Sequence, residues 1–167
     1  NLASEVQART GIPYLLLDGA LTRSGETLRR LGAVTGRGER AEMLAQAAAT
    51  HLRQAQEAAA GRDAATRPRV YYARGPRGLE TALAGSINTE ALALVGAANV
   101  AAAPGPAGVV QVSFEQVLAW NPDVILTQEP GFYRDVRRDP LWAGLEAVRR
   151  GRIYLAPKEP FGWFDFP

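Results

Sequence analysis

The longest unbroken helical signal in the chain covers residues 37–61, "RGERAEMLAQAAATHLRQAQEAAAG". It contains no proline and is built mainly from Ala, Glu, Gln, Arg and Leu, the strongest helix formers. About 23 residues at ~1.5 Å rise each make a rod of ~35 Å. Its apolar positions, Ala41, Leu44, Ala45, Ala48, Leu52 and Ala55, recur every three or four residues, so one face is expected to be buried. Gly61 closes it. A helix this long exceeds what a simple strand–helix–strand crossover needs, and it suits a rigid spacer between two lobes.

On either side of this rod the pattern is different. Residues 1–9 read as the tail of a helix. "GIPYLLLDG" reads as a buried strand from Tyr14 to Asp18, bounded by Gly11, Pro13 and Gly19. "SGETLRRLGAVTG" predicts a short helix with Ser24 as N-cap and Gly32 or Gly36 as its stop. After the polar "GRDAATRP", short strands and helices alternate. "RVYYA", "DVILT" and "RIYLA" are strands, while "NTEALALVGA", "SFEQVLAWN" and "PLWAGLEAVRRG" are helices. Such alternation implies a mostly parallel sheet with helical cover. "APGPAG" at 103–108 is expected to be a turn-rich connection, and no internal repeat is present.

Composition excludes several classes. The 167 residues carry 47% hydrophobic and 22% charged side chains, an ordinary globular balance. Nineteen basic against seventeen acidic residues leave a net charge of only +2, with the arginines interspersed among acids. No nucleic-acid stripe results. There is no cysteine, hence no disulfide framework, thiolate ligand or thiol nucleophile. That fits an oxidising compartment. No apolar run approaches the ~20 residues of a membrane span. The chain opens in mid-helix and stops abruptly at "FGWFDFP", which predicts a piece of a longer protein.

The segment "YYARGPRG" (71–78) poses the question of chemistry. A strand runs into a glycine-rich loop, a setting in which backbone N–H groups and arginines can face an anion. The loop is neither a Walker phosphate loop nor a dinucleotide fingerprint, and Lys158 is the only lysine in the chain. Arg74 and Arg77 read equally well as solvated arginines on a turn. His51, the single histidine, lies in the middle of the long helix, away from any nucleophile motif. One histidine and no cysteine argue against a softer transition-metal site, which leaves an oxygen-ligand site from Tyr, Asp and Glu, with residues supplied by a missing part, as the open alternative. The aromatic terminus, with Phe161, Trp163, Phe164 and Phe166, reads either as core closure or as a wall for a planar ligand. Glu115 follows Ser113 in the first turn of a helix, a position that favours negative charge.

Taken together, "GIPYLLLD", "LRRLGAVTGRGERAEMLAQ", "RVYYARGPRGLETALAGSINTEALALVGAANVA", "VSFEQVLAWNPDVILT" and "PLWAGLEAVRRGRIYLAP" resemble class III periplasmic substrate-binding proteins of ABC importers. These are receptors for iron–siderophores, haem, cobalamin and molybdate or tungstate. The likeness runs through nearly the whole chain. "LG…TGRGERAE" and "EQVLAWNPDVIL" are its most specific parts.

The resemblance implies an α/β fold: a three-layer lobe with a mostly parallel sheet, preceded by a long inter-lobe connecting helix. It places the end of the N-terminal lobe at 1–20, the connecting helical segment at 21–67 and an incomplete C-terminal lobe at 68–167. It implies a non-enzymatic receptor, with no cofactor and no metal-ligating residues of its own. The receptor captures an iron complex, a related metal chelate or an oxyanion between two lobes and delivers it to the ABC permease. It binds no nucleic acid and inserts no segment into the membrane. Its location is periplasmic, or extracytoplasmic and lipid-anchored in a Gram-positive parent.

Loops after the C-lobe strands are expected to contact ligand: Tyr72, Arg74, Arg77, Asn88, Gln128, Tyr133, Phe161 and Trp163. Tyr72 or Tyr133 would suit a haem iron. Glu115 matches the family's glutamate that docks on permease arginines. Two rival readings are an α/β enzyme domain acting on an anionic substrate, and a sensor domain reusing the receptor fold.

Overall fold

The computed structural model describes residues 2–61, 63–103, 108–160 and 162–164. The chain divides into two compact units, residues 1–51 and 52–167.

The first unit is helical. Helix α1 spans Leu2–Thr10, α2 spans Ser24–Thr35, and α3 spans Gly38–Ala59 and runs on into the second unit. The 22 residues of α3 bury Ala41 and Ala45 and half-bury Ala48, Leu52, Ala55 and Ala59, an i, i+4, i+7, i+11 stripe. Leu44, assigned to that stripe by the sequence pattern, is 39% exposed.

Helix α2 begins differently from expectation. A 3-10 turn at Leu21–Arg23 leads into it, and the Ser24 hydroxyl donates to the Leu21 carbonyl (2.7 Å). Ser24 is therefore not an N-cap, because its hydroxyl is committed to the turn behind it. Gly36 ends α2 in the left-handed region (φ 68°). Gly32, the other candidate stop, is instead a contact point. A Cβ there would lie 2.2 Å from the Ala41 Cβ and 3.2 Å from the Arg37 carbonyl oxygen. Arg29 of α2 meets Glu42 of α3 with two N–H donors, at 2.6 and 3.0 Å.

The strand expected at Tyr14–Asp18 is absent: residues 11–20 have no regular structure, and Tyr14, Leu15 and Leu16 are 50%, 48% and 60% exposed. A strand exists only through its ladder, and the described residues of this unit contain no other strand to pair with.

The second unit is built on a sheet. Strand β1 spans Arg69–Ala73, β2 Glu80–Ala82, β3 Ala98–Asn99, β4 Val109–Gln111, β5 Val124–Thr127 and β6 Ile153–Leu155. Strands β3, β1, β5 and β6 form a four-stranded sheet in that order, and every pairing in it is parallel. Strands β2 and β4 form a separate antiparallel pair. Helices α4 (Ile87–Leu94), α5 (Phe114–Trp120), α6 (Pro130–Asp135) and α7 (Glu146–Arg149) separate the strands. The mixed α/β class with a mostly parallel sheet agrees with the sequence pattern.

Tyr71, Ala73, Ile125 and Ile153 form one core with Val117, Phe132, Val136, Trp142 and Leu145. Trp142 is its hub, meeting Phe114 and Phe132 edge-on at 5.3 and 4.9 Å. The Tyr71 hydroxyl donates to the Gly78 carbonyl (2.8 Å), and burial pushes this phenol's pKa well up.

"PLWAGLEAVRRG" does not form one helix. A 3-10 turn at Trp142–Gly144 and α7 are separated by Leu145, which is extended (ψ 139°) and fully buried. Burying Leu145 in the core takes precedence over helix continuity. Of the "APGPAG" connection, residues 104–107 lie outside the described residues.

Candidate functional site

Strand order defines where a site can form. The chain leaves β1 and returns to the sheet as β3 on one side. It leaves β5 and returns as β6 on the other side. The carboxyl ends of β1 and β5 are adjacent, with Ala73 opposite Thr127. They therefore flank the topological switch point, the crevice where open parallel sheets bind ligands. Arg74 follows β1 at this point and Gln128 follows β5.

Strand alternation sends neighbouring tyrosines to opposite faces. Tyr71 enters the Trp142 core, whereas Tyr72 takes the other face. Tyr72 is fully buried, and its hydroxyl donates to the Gln128 Oε1 at 2.6 Å. Gln128 is itself 3% exposed, and its Nε2 donates to the Pro157 carbonyl at 3.2 Å. The Arg74 guanidinium lies 5.7 Å from the Tyr72 ring centroid, within cation–π range. The Phe164 ring packs on the same tyrosine at 5.1 Å. Nearby, the Thr127 Oγ1 accepts the Glu129 N–H (3.1 Å), and Lys158 pairs with Glu129 at 3.5 Å.

The β1–β2 connection fixes the backbone of Arg74. Its N–H donates to the Glu80 carbonyl (2.8 Å), and the Glu80 N–H donates back (3.2 Å). Gly75 and Gly78 adopt φ of 71° and 67° within this hairpin, a region that glycine enters without strain. Gly78 is also pressed against the Phe132 ring, where a Cβ would approach to 2.4 Å.

Of the residues expected to line a site, the structure brings Tyr72, Arg74 and Gln128 together. Arg77 is exposed and lines a groove of about 230 Å³ with Phe132, Leu141 and Trp142, against the Tyr71 core. Tyr133 packs against that same core, with the Arg137 guanidinium 4.7 Å from its ring centroid. Asn88 is half-buried in the first turn of α4, its N–H directed to the capping Ser86 hydroxyl (3.4 Å). Trp163 is 65% exposed, with its backbone N–H on the Pro157 carbonyl (3.2 Å). Phe161 lies outside the described residues. Phe164 was named from the sequence only as part of the aromatic terminus, not among the residues expected to contact ligand.

Glu115 is exposed in the first turn of α5. Its own backbone N–H and the Ser113 hydroxyl hold its carboxyl below the usual range, so it is an anion at neutral pH. Ser113 and Gln116 complete a reciprocal capping box beneath it, at 3.2 and 2.9 Å. Among the described residues no group of three His, Cys, Asp or Glu side chains is placed to hold a metal ion. No helix among them is long and apolar enough to cross a membrane.

An α/β unit with polar groups at a parallel-sheet switch point is an architecture that places a binding crevice at the strand ends. The pattern that defines the periplasmic binding protein family matches residues 6–160, and the chain belongs to that family. An ABC transporter solute-binding protein from Sulfurospirillum deleyianum superimposes with a TM-score of 0.92 at 38% identity, over 100% of this chain and 53% of that one. The molybdate-binding protein MolA of Haemophilus influenzae is 41% identical over 70 residues, 41% of this chain and 20% of that protein. The structure of MolA bound to molybdate superimposes with a TM-score of 0.72 at 29% identity, over 84% of this chain and 43% of that one. The chain thus spans about half the length of the solved relative it resembles over its whole extent.

Proposed function

We propose that this chain is part of the extracytoplasmic receptor of an ABC importer, which captures a metal oxyanion, iron complex or related metal chelate between two lobes and passes it to a membrane permease. In this reading residues 68–167 belong to the C-terminal lobe, 21–67 to the connecting helical segment and 1–20 to the end of the N-terminal lobe. The observation that carries the proposal is Arg74 at the switch point, on the Tyr72 ring and beside Gln128. A guanidinium offers charge-assisted, geometrically defined donors to an oxyanion or an anionic chelate. The similarity to MolA favours the oxyanion. The aromatic surfaces of Phe164 and Trp163 would accommodate a larger chelate.

The test is calorimetric titration of the full-length protein with molybdate, tungstate, a ferric siderophore, haem and cobalamin. Saturable one-site binding of molybdate or tungstate is expected. Binding of none of the five would overturn the receptor reading, and exclusive binding of haem or cobalamin would overturn the oxyanion preference.

A further inference from the structure

Tyr72 looks like a ligand contact from the sequence, but it is fully buried, and its phenolic proton points at a neighbouring amide instead. That amide is oriented from both ends. The Pro157 carbonyl can only accept, so it must face the Gln128 Nε2. The Oε1 is then turned toward β1, and the Tyr72 hydroxyl must donate to it. Turning the amide over would set Oε1 against the Pro157 carbonyl, two acceptors face to face.

One buried side chain therefore joins three segments: the end of β1, the end of β5 and the turn after β6. Two further groups lie against the same phenol ring. The Arg74 guanidinium rests over the ring at 5.7 Å, and Phe164 packs on it at 5.1 Å. The segment that carries Phe164 is itself held to the sheet through the Ala156 N–H on the Thr127 carbonyl (2.7 Å).

We infer that Gln128 and Tyr72 are a coupled positioning pair, which fixes the Arg74 guanidinium and the post-β6 segment at the switch point without touching ligand. This rests on the receptor reading above, with Arg74 as the group that meets the ligand.

The experiment uses the full-length protein and molybdate as the probe, with Tyr72→Phe, Gln128→Leu and the double variant. Tyr72→Phe keeps the ring under Arg74 and removes only the hydroxyl. Each single change should weaken molybdate binding by roughly five- to tenfold, about what one buried hydrogen bond is worth. The double variant should be no weaker than either single one, since both break the same tie. Additive losses, or singly reduced thermal stability with unchanged affinity, would overturn the inference.

Hydrogen exchange over residues 156–160 and 162–164 gives a second readout that needs no ligand. It should quicken in both single variants to the same degree. If the wild-type protein binds no molybdate, the oxyanion preference fails on its own account, and the receptor reading fails with it only if none of the other four ligands binds. The tie is then judged by exchange alone, and unchanged rates would overturn it.

Discussion

Two adjacent tyrosines carry most of what the residue scale has to say. Tyr71 and Tyr72 differ only in strand parity, yet one supports a packed core and the other a polar site. Tyr71→Phe should cost about 1–2 kcal/mol, because the buried Gly78 carbonyl loses its donor while the ring stays in place. Urea unfolding of the two forms measures this; an unchanged midpoint would show that the carbonyl finds another partner. Glu42 gives a pH signature. Hydrogen bonds from Arg29, then from Gln46, lower its carboxyl from 4.5 to about 2. A carboxylate depressed in the folded state stabilises that state above its unfolded value and loses the contribution as pH falls through the folded one. Thermal midpoints should therefore fall between pH 4.5 and about 2, and more steeply in the wild type than in Glu42→Gln. Because the pair is exposed and screened, the difference is expected to be small and to shrink with added salt. Strand alternation around Tyr71 and Tyr72 could be read from the sequence. Gln128 was placed with Tyr72 among the loop residues, but that Tyr72 bonds to it and packs on Phe164 could not be read, because they lie 56 and 92 positions downstream and only folding brings them near.

At the scale of elements, close approach decides more than propensity does. Glycine at position 32 lets α2 and α3 meet at Ala41, and a methyl group there has no room. Gly32→Ala should destabilise the protein by about 1–3 kcal/mol despite improving helix propensity, since overpacking outweighs it. Denaturant unfolding tests the sign, and a stabilised variant would show that the two helices can separate freely. The long helix was legible in the sequence to within a residue or two, because its signal is local: proline-free, alanine-rich and closed by Gly61. The capping box at Ser113 and Gln116 was legible as a helix start for the same reason. The Tyr14–Asp18 strand was misread because apolar β-prone residues specify a strand only when a neighbour supplies the ladder. The helix expected over 140–151 was misread because Leu145 is claimed by the core.

For the whole molecule the question is what faces a ligand and what faces a partner. Arg74 lies at the switch point, whereas Glu115 stands on the surface at the start of α5. If Glu115 docks on permease arginines, Glu115→Arg should abolish uptake while leaving ligand affinity within about twofold, since surface changes remote from a site act nearly independently of it. Paired uptake and calorimetry measurements on the full-length protein check this; lost affinity with intact uptake would reverse the assignment. By itself the sequence determined the α/β class, the long helix, the strands β1, β5 and β6 and the lack of any cysteine, all of them properties of composition and short-range period. The tertiary structure alone decided that Tyr133 packs on the Tyr71 core and Arg77 lines an exposed groove beside Phe132 and Trp142, while Tyr72, Arg74 and Gln128 meet. That division depends on strand order, and strand order is set by which buried faces pack together across long stretches of chain.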